Sequence, residues 1–237
     1  MAGYSRSELM IALLAREVAG LGHVVAGALS PLPAGAALLA QAMGPTRATV
    51  LGSRRFNPFS EGGRELFDCA AEGRIDAFFL SGGQIDGEAN INLLAIGDPD
   101  RPQVRFPGSF GSAYLYFLVP RILLFREEHS RKTLVPKVDF ISAPGRTPGN
   151  VMRQGGPKAL VTGLARFGFD GRFRLTSIHP GHDLAEVEAS TGFAFDRPGI
   201  VPTTDPPTDE ELRLIRGPVR RDLAETYPRF AAAMAAG

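Results

Sequence analysis

The chain reads as an α/β protein built on an open, mostly parallel but mixed sheet flanked by helices, and three observations predict this. Short apolar runs of strand length alternate with helical patterns through the first 80 residues. A strand, a helix and a second strand joined by short connections point to a parallel crossover, because the helix must cover one face of the sheet between parallel neighbours. Glycine-bearing loops interrupt or follow the apolar runs, notably Ser81-Gly82-Gly83-Gln84-Ile85-Asp86 and Pro107-Gly108-Ser109-Phe110-Gly111. An Asp-Gly turn at Phe169-Asp170-Gly171-Arg172 between two β-rich runs signals a hairpin, so the sheet is mixed.

Taken in order, Ser5 with Glu8 three residues on has capping-box spacing. The apolar residues Leu9, Ile11, Leu13, Leu14 and Val18 then form a broad helical face that ends near Gly20 or Gly22. Residues 23–27 read as a strand, Ala34 to Met43 as an alanine-rich helix stopped by Gly44-Pro45, and residues 48–52 as the next strand. A helix over Arg64 to Glu72 feeds the strand Ile75 to Leu80. Beyond the first glycine loop, Asp86-Gly87-Glu88-Ala89-Asn90 carries a turn signal before a strand from Ile91 to Ile96.

Ser112 to Leu118 is expected to begin a helix behind the second glycine loop, with free N–H groups at its start that favour a carbonyl oxygen, an enolate or a phosphate. Strands follow at Arg121 to Phe125 and Val135 to Ser142, then a loop rich in proline and glycine over residues 143–149. Residues 159–167 and 172–178 flank the Asp-Gly turn. Asp183 with Glu186 opens a helix near Leu184 to Ser190, and Thr208 with Glu211 forms another capping box. The last helix is expected to break at Pro218 and Pro228. The expected organisation is a single domain over 1–237, with 198–237 as a peripheral C-terminal tail.

With 237 residues, 44% of them hydrophobic, the chain is long enough for a well-buried core. Its 26 basic and 25 acidic residues leave a formal charge of +1, which offers no field to nucleic acid or an anionic membrane. Cys69 is the only cysteine, which excludes an internal disulfide and a multi-cysteine metal site and fits a reducing compartment. The most apolar run, Ala113 to Phe125, contains Pro120 and Arg121 and falls short of the about 20 residues a bilayer span needs. The N-terminal residues lack the pattern of a secretory leader. The expected location is the cytoplasm.

Several familiar chemistries are missing their marks. Around Ser109 the sequence has Pro107 where a nucleophile elbow has its first glycine, so Ser109 reads as a hydroxyl or N–H donor to a ligand rather than as a nucleophile. His179 and His182 lack the three or four convergent ligands of a zinc site, and no metal site is expected. Neither a phosphate-binding P-loop nor a dinucleotide fingerprint is present. Arg54, Arg55 and Asn57 follow the second strand, where open α/β sheets bind ligands. Arg126, at the end of an apolar strand beside Glu127 and Glu128, is placed to be partly buried and oriented toward a carboxylate or phosphate.

The run Phe79-Leu80-Ser81-Gly82-Gly83-Gln84-Ile85-Asp86-Gly87-Glu88-Ala89-Asn90-Ile91-Asn92, followed by Arg105-Phe106-Pro107-Gly108-Ser109-Phe110-Gly111-Ser112, resembles the beta subunit of class I coenzyme A transferases of the glutaconate type. The resemblance covers roughly Ser5 to Pro180. It implies an open α/β fold and a homologous alpha partner. In that family's transferases a glutamate nucleophile lies in a loop after an early strand of the beta subunit. Here the matching loop, Gly52-Ser53-Arg54-Arg55-Phe56-Asn57-Pro58, has no glutamate, and no glutamyl-CoA intermediate can form on it.

That departure, with Arg55-Phe56-Asn57-Pro58 and Phe125-Arg126-Glu127-Glu128-His129-Ser130, resembles the branch that opens the last steroid ring in cholesterol catabolism. The resemblance implies a CoA-thioester hydrolase whose essential glutamate comes from the alpha subunit, in an assembly expected to be alpha2beta2. It implies catalytic roles for Arg126 and Asn57, and a substrate cradle of Gly82, Gly83, Gln84, Asp86, Gly108, Ser109 and Gly111. No cofactor is expected, since coenzyme A is part of the substrate. The alternatives are an acyl-CoA:carboxylate CoA-transferase subunit and a noncatalytic metabolite-binding subunit.

Overall fold

The computed structural model describes residues 3–236, and the chain gathers into two compact units, Met1–Phe79 with Pro206–Gly237, and Leu80–Asp205. The first unit starts with helix α1 (Arg6–Val18), which the Ser5 hydroxyl and the Glu8 carboxylate cap reciprocally. Strand β1 (His23–Ala26) follows, then helix α2 (Pro31–Met43), strand β2 (Arg47–Val50), helix α3 (Gly63–Ala71) and strand β3 (Ala77–Leu80). β1 pairs in parallel with both β2 and β3. The strand order is therefore β3-β1-β2, with the chain reversing its direction of travel at β1.

α2 begins a turn earlier than its alanine-rich run. Pro31 lies in the first turn, where a missing N–H costs nothing and a fixed φ suits the helix. Residues 32–40 are buried without interruption, so α2 is enclosed on all sides. Gly35 lets α1 come close: a Cβ there would lie 2.9 Å from Ile11 Cδ1.

The second unit opens with two short hairpins, β4 (Gln84–Ile85) against β5 (Ile91–Asn92), and β6 (Ala95–Ile96) against β7 (Val104–Arg105). The single strand expected over Ile91 to Ile96 is thus divided. The Asn92 side-chain oxygen accepts the N–H groups of Leu94 at 3.0 Å and Ala95 at 3.3 Å, which turns the chain between the halves. Helix α4 (Ser112–Leu118) and strand β8 (Arg121–Arg126) come next, followed by β9 (Pro157–Thr162), β10 (Ala165–Phe169), β11 (Phe173–Ile178) and helix α5 (Leu184–Ser190). β8 and β9 are parallel, while β9-β10-β11 is antiparallel.

Two further expectations fail for local reasons. Residues 135–142 form no strand. Pro136 lacks a donor, and the N–H groups of Val138 and Asp139 bond to the side chains of Asp86 and Gln84, which removes them from any ladder. The run 159–167 is two strands rather than one, because Thr162 Oγ1 accepts the N–H groups of Leu164 and Ala165 and folds the chain back at Gly163.

The chain returns to the first unit with α6 (Asp209–Leu214), α7 (Arg220–Thr226) and α8 (Pro228–Ala236). Pro218 does not break this segment. A π turn over Ile215–Val219 widens the backbone around the proline and connects α6 to α7 without a break. Leu214, Ile215, Val219 and Leu223 are buried. Arg216 closes on the buried Glu8 at 2.6 Å, and Arg16 on the buried Glu211 at 2.6 Å. No helix among the described residues is long and apolar enough to cross a membrane. Mixed, mostly parallel pairing flanked by helices is the architecture the sequence predicts.

Candidate active site

The two glycine loops meet in the second unit. The far end of the Phe106 ring, at the head of the second loop, abuts Gly83 of the first so closely that a Cβ on Gly83 would overlap it. Glycine is required here by close approach rather than by backbone angle. A cavity of about 360 Å³ opens at this junction, lined by Ser81, Gly82, Gly83, Phe106, Pro107 and Arg126, with Leu93, Ile96, Glu128, Lys132 and Thr133.

Arg126 ends β8 at this cavity, with its side chain 34% exposed. One guanidinium nitrogen reaches Glu128 Oε2 at 3.4 Å, a weak contact. Its Nε is buried and has no hydrogen-bond partner among the described residues. Buried donors are nearly always paired, so an orphaned guanidinium N–H beside a cavity is a donor held ready for an acceptor. The Ser130 hydroxyl donates to Glu128 at 2.6 Å and, with Arg126, keeps that carboxyl below its ordinary value. Glu128 therefore stays ionised and aligns Arg126.

His129 lies between Thr162 Oγ1 at 2.7 Å and Thr191 Oγ1 at 2.9 Å, and burial pushes its pKa down to about 4. The ring is neutral and carries one N–H, which donates to one of the two threonine oxygens. It fixes the chain after Arg126 and has no proton to exchange near neutral pH.

The remaining predicted residues divide by what their polar atoms do. Gln84 is buried: its carbonyl accepts from Asn92 and from the N–H of Asp139, and its amide donates to Asp139. Asp86 is also buried, and its two oxygens accept from Glu88, Asn90 and Val138, which closes the 86–90 turn around Ala89 at φ +59°. Both side chains serve the framework behind the glycines.

The N–H groups of Gly83 and Gly108 bond to Asn92 O at 2.8 Å and Leu93 O at 3.1 Å, so neither is open to a ligand. Those of Gly82 and Ser109 make no hydrogen bond among the described residues. The Ser109 hydroxyl likewise has no partner among them, and so no base to activate it. Gly111 caps α4, while Phe110 beside it takes φ +45° and stands 86% exposed.

Asn57 belongs to the first unit, in the loop after β2. Its side-chain oxygen accepts the N–H of Phe59 at 3.1 Å, and its amide nitrogen has no partner among the described residues. The same loop holds partners that the sequence concealed. Glu225 on α7 accepts the Ser53 hydroxyl at 2.7 Å and the Arg54 N–H at 2.9 Å, and Asp222 pairs with Arg55 at 2.6 Å. Ser53 in turn accepts the N–H groups of Arg55 and Phe56. The contact of Phe106 with Gly83 is the other feature of the site that no spacing in the sequence announced.

Comparison with known proteins bears on this arrangement. The family described as Coenzyme A transferase matches residues 3–188. The chain is 34% identical over 153 residues to one subunit of the 3-oxoadipate CoA-transferase of Pseudomonas knackmussii, a match covering 61% of this chain and 58% of that protein. It is 32% identical over 160 residues to the cholesterol ring-cleaving hydrolase IpdB subunit of Rhodococcus jostii, covering 65% of this chain and 62% of that protein. The matched stretch thus spans about six tenths of each of these relatives. Among solved structures, IpdAB of Rhodococcus jostii RHA1 superposes with a TM-score of 0.78 at 26% identity, covering 91% of this chain and 94% of that one.

Proposed function

Since the chain belongs to the Coenzyme A transferase family, we propose that it is the beta subunit of a heteromeric acyl-CoA hydrolase that opens the last steroid ring. Its substrate on this reading is a cyclic beta-oxo acyl-CoA formed in cholesterol catabolism. The carrying observation is the buried Arg126 Nε, held without an acceptor beside the cavity at the glycine junction. The missing carboxylate between Gly52 and Pro58 supports hydrolysis over transfer, because a ping-pong transferase needs a covalent carboxylate there.

The chemistry assigns each group one task. A glutamate of the alpha subunit takes a proton from water, and the resulting hydroxide adds to the ring ketone. Collapse of the adduct breaks the carbon–carbon bond between the former ketone carbon and the thioester α-carbon. The electron pair passes to the thioester enolate, and the ketone carbon leaves as a carboxylic acid. The enolate then takes up a proton at its α-carbon. Arg126 donates to the developing oxyanion, joined by the open N–H groups of Gly82 and Ser109. Asn57 orients water or the ring through its free amide. Coenzyme A enters as part of the substrate, and no other cofactor is required.

A partner subunit follows from the same reading, since the glutamate must come from elsewhere. Large apolar side chains left in solvent on the second unit, including Phe110, Tyr114, Ile141 and Met152, suit an interface with it. The decisive experiment coexpresses the chain with its alpha partner and follows hydrolysis of the cyclic CoA thioester. The double variant Arg126→Ala/Asn57→Ala should lose activity, and full activity in it would refute these roles. The similarity to a subunit of a 3-oxoadipate CoA-transferase favours a second reading, acyl-CoA:carboxylate transfer. Trapping with hydroxylamine or borohydride separates the two: a modified carboxylate on this chain supports transfer.

A further inference from the structure

The segment beyond the family match is tied to the loops that leave the carboxyl ends of β1 and β2. In open α/β sheets that end of the strands is the ligand side, and here the strand order turns back at β1. The loop after β1 holds Gly27 and Ala28; the Tyr227 hydroxyl, at the corner between α7 and α8, reaches the carbonyl oxygens of Ala28 at 2.8 Å and Gly27 at 3.2 Å. Two residues earlier, Glu225 accepts from Ser53 and Arg54 in the loop after β2. The two loops also touch, since a Cβ on Gly52 would rest in ordinary contact with Ala28.

We propose that the α7–α8 corner is a strap that positions both ligand-facing loops, with Glu225 and Tyr227 as positioning residues for Asn57. The Glu225 carboxylate is committed to holding: it takes the Thr226 and Ser53 hydroxyls and the Arg54 N–H, which together keep its pKa below the ordinary value. An acceptor so occupied is a poor base and a good anchor. Tyr227 adds a neutral tie to the neighbouring loop. The strap rests on the reading in which the Asn57 loop meets the acyl-CoA substrate, but its mechanical part can be tested without substrate.

Arg54 and Arg55 are exposed and sit in the strapped loop, so trypsin reports directly on its opening. In the full-length double variant Glu225→Gln/Tyr227→Phe, cleavage after Arg54 or Arg55 should accelerate at least about tenfold, since charge-assisted bonds are weakened to neutral ones and the tyrosine hydroxyl's bond is lost. Other sites should keep their rates, which distinguishes local release from unfolding. The single variant Tyr227→Phe gives a smaller gain at the same bonds and serves if the double variant folds poorly. In the complex with the alpha subunit, KM for the CoA thioester should rise about tenfold while kcat stays within threefold. Unchanged cleavage at these bonds overturns the strap. Faster cleavage with KM and kcat both unchanged overturns the positioning role. If the wild-type complex does not turn over the thioester, the substrate reading fails, and proteolysis still decides whether the corner holds the loops.

Discussion

Replacing Arg126 by methionine should harm catalysis and leave stability nearly unchanged or improved. The Nε is buried without an acceptor, and leaving such a donor unmade costs the folded chain about 1–3 kcal/mol. Methionine keeps most of the stem's packing, with a loss of less than about 1.5 kcal/mol for a volume-conserving exchange. The net change runs from a loss of about 0.5 to a gain of about 3 kcal/mol. For a chain of this length each kcal/mol shifts the melting temperature by about 2–4 °C, so the variant should melt between about 2 °C below its parent and about 12 °C above it. Loss of one oxyanion donor removes about 2–4 kcal/mol of transition-state stabilisation, or roughly 30- to 1,000-fold in kcat/KM. Calorimetry and steady-state hydrolysis of the CoA thioester by the reconstituted complex supply the two numbers. A melting temperature lowered by more than 5 °C with activity kept within twofold would make Arg126 a structural cation and refute the reasoning.

Three other outcomes are expected. Gly83→Ala should displace the Phe106 ring and cut activity by at least tenfold, and adding Phe106→Ala should restore folding by making room for the methyl, as a thermal melt of both variants would show. Urea titrations between pH 7 and 4 should show stability falling as His129 is asked to take a proton: its folded pKa of about 4 lies below the unfolded 6.5, so the loss, roughly 3 kcal/mol at most, spreads across that window. His129→Gln should flatten the slope, leaving a residual of the same sign from His23, whose pKa burial also lowers. Arg216→Met leaves the buried Glu8 carboxylate without its counter-ion and should lower the urea midpoint near neutrality. Glu8, held below its ordinary value by Arg216 and Ser5 against the opposing effect of burial, contributes stability that fades as pH falls through its folded pKa; in the variant that loss moves to higher pH.

The parts legible in the sequence were those governed by near neighbours. Ser5, Asp183 and Thr208 each announced a helix start because the capping partner sits three residues away. Asn92 and Thr162 misled for the converse reason: each occupies an apolar run that reads as one strand, and only its side chain, turned onto its own backbone, shows where the strand ends. In the site, Arg126 was legible as a charge ending an apolar strand, and the glycines as close approaches. What they approach was not: Phe106 over Gly83 joins two segments through space, and Glu225 meets Ser53 across 172 positions. No local pattern encodes such a pairing. The roles of Gln84 and Asp86 escaped similarly, since a buried side chain spent on a framework and one offered to a ligand have the same spelling.

The first unit is assembled from both ends of the chain, with residues 80–205 between its parts. During synthesis its early strands and helices leave the ribosome without α6, α7 and α8. At about 5–20 residues per second the intervening stretch keeps them waiting roughly 6–25 s. Throughout that interval Glu8 has no Arg216, and the faces later covered by Ile215, Val219 and Leu223 stand open. The second unit is continuous in sequence and emerges whole in that interval. The contacts from α7 to the loop that carries Arg55 and Asn57 are therefore among the last to form.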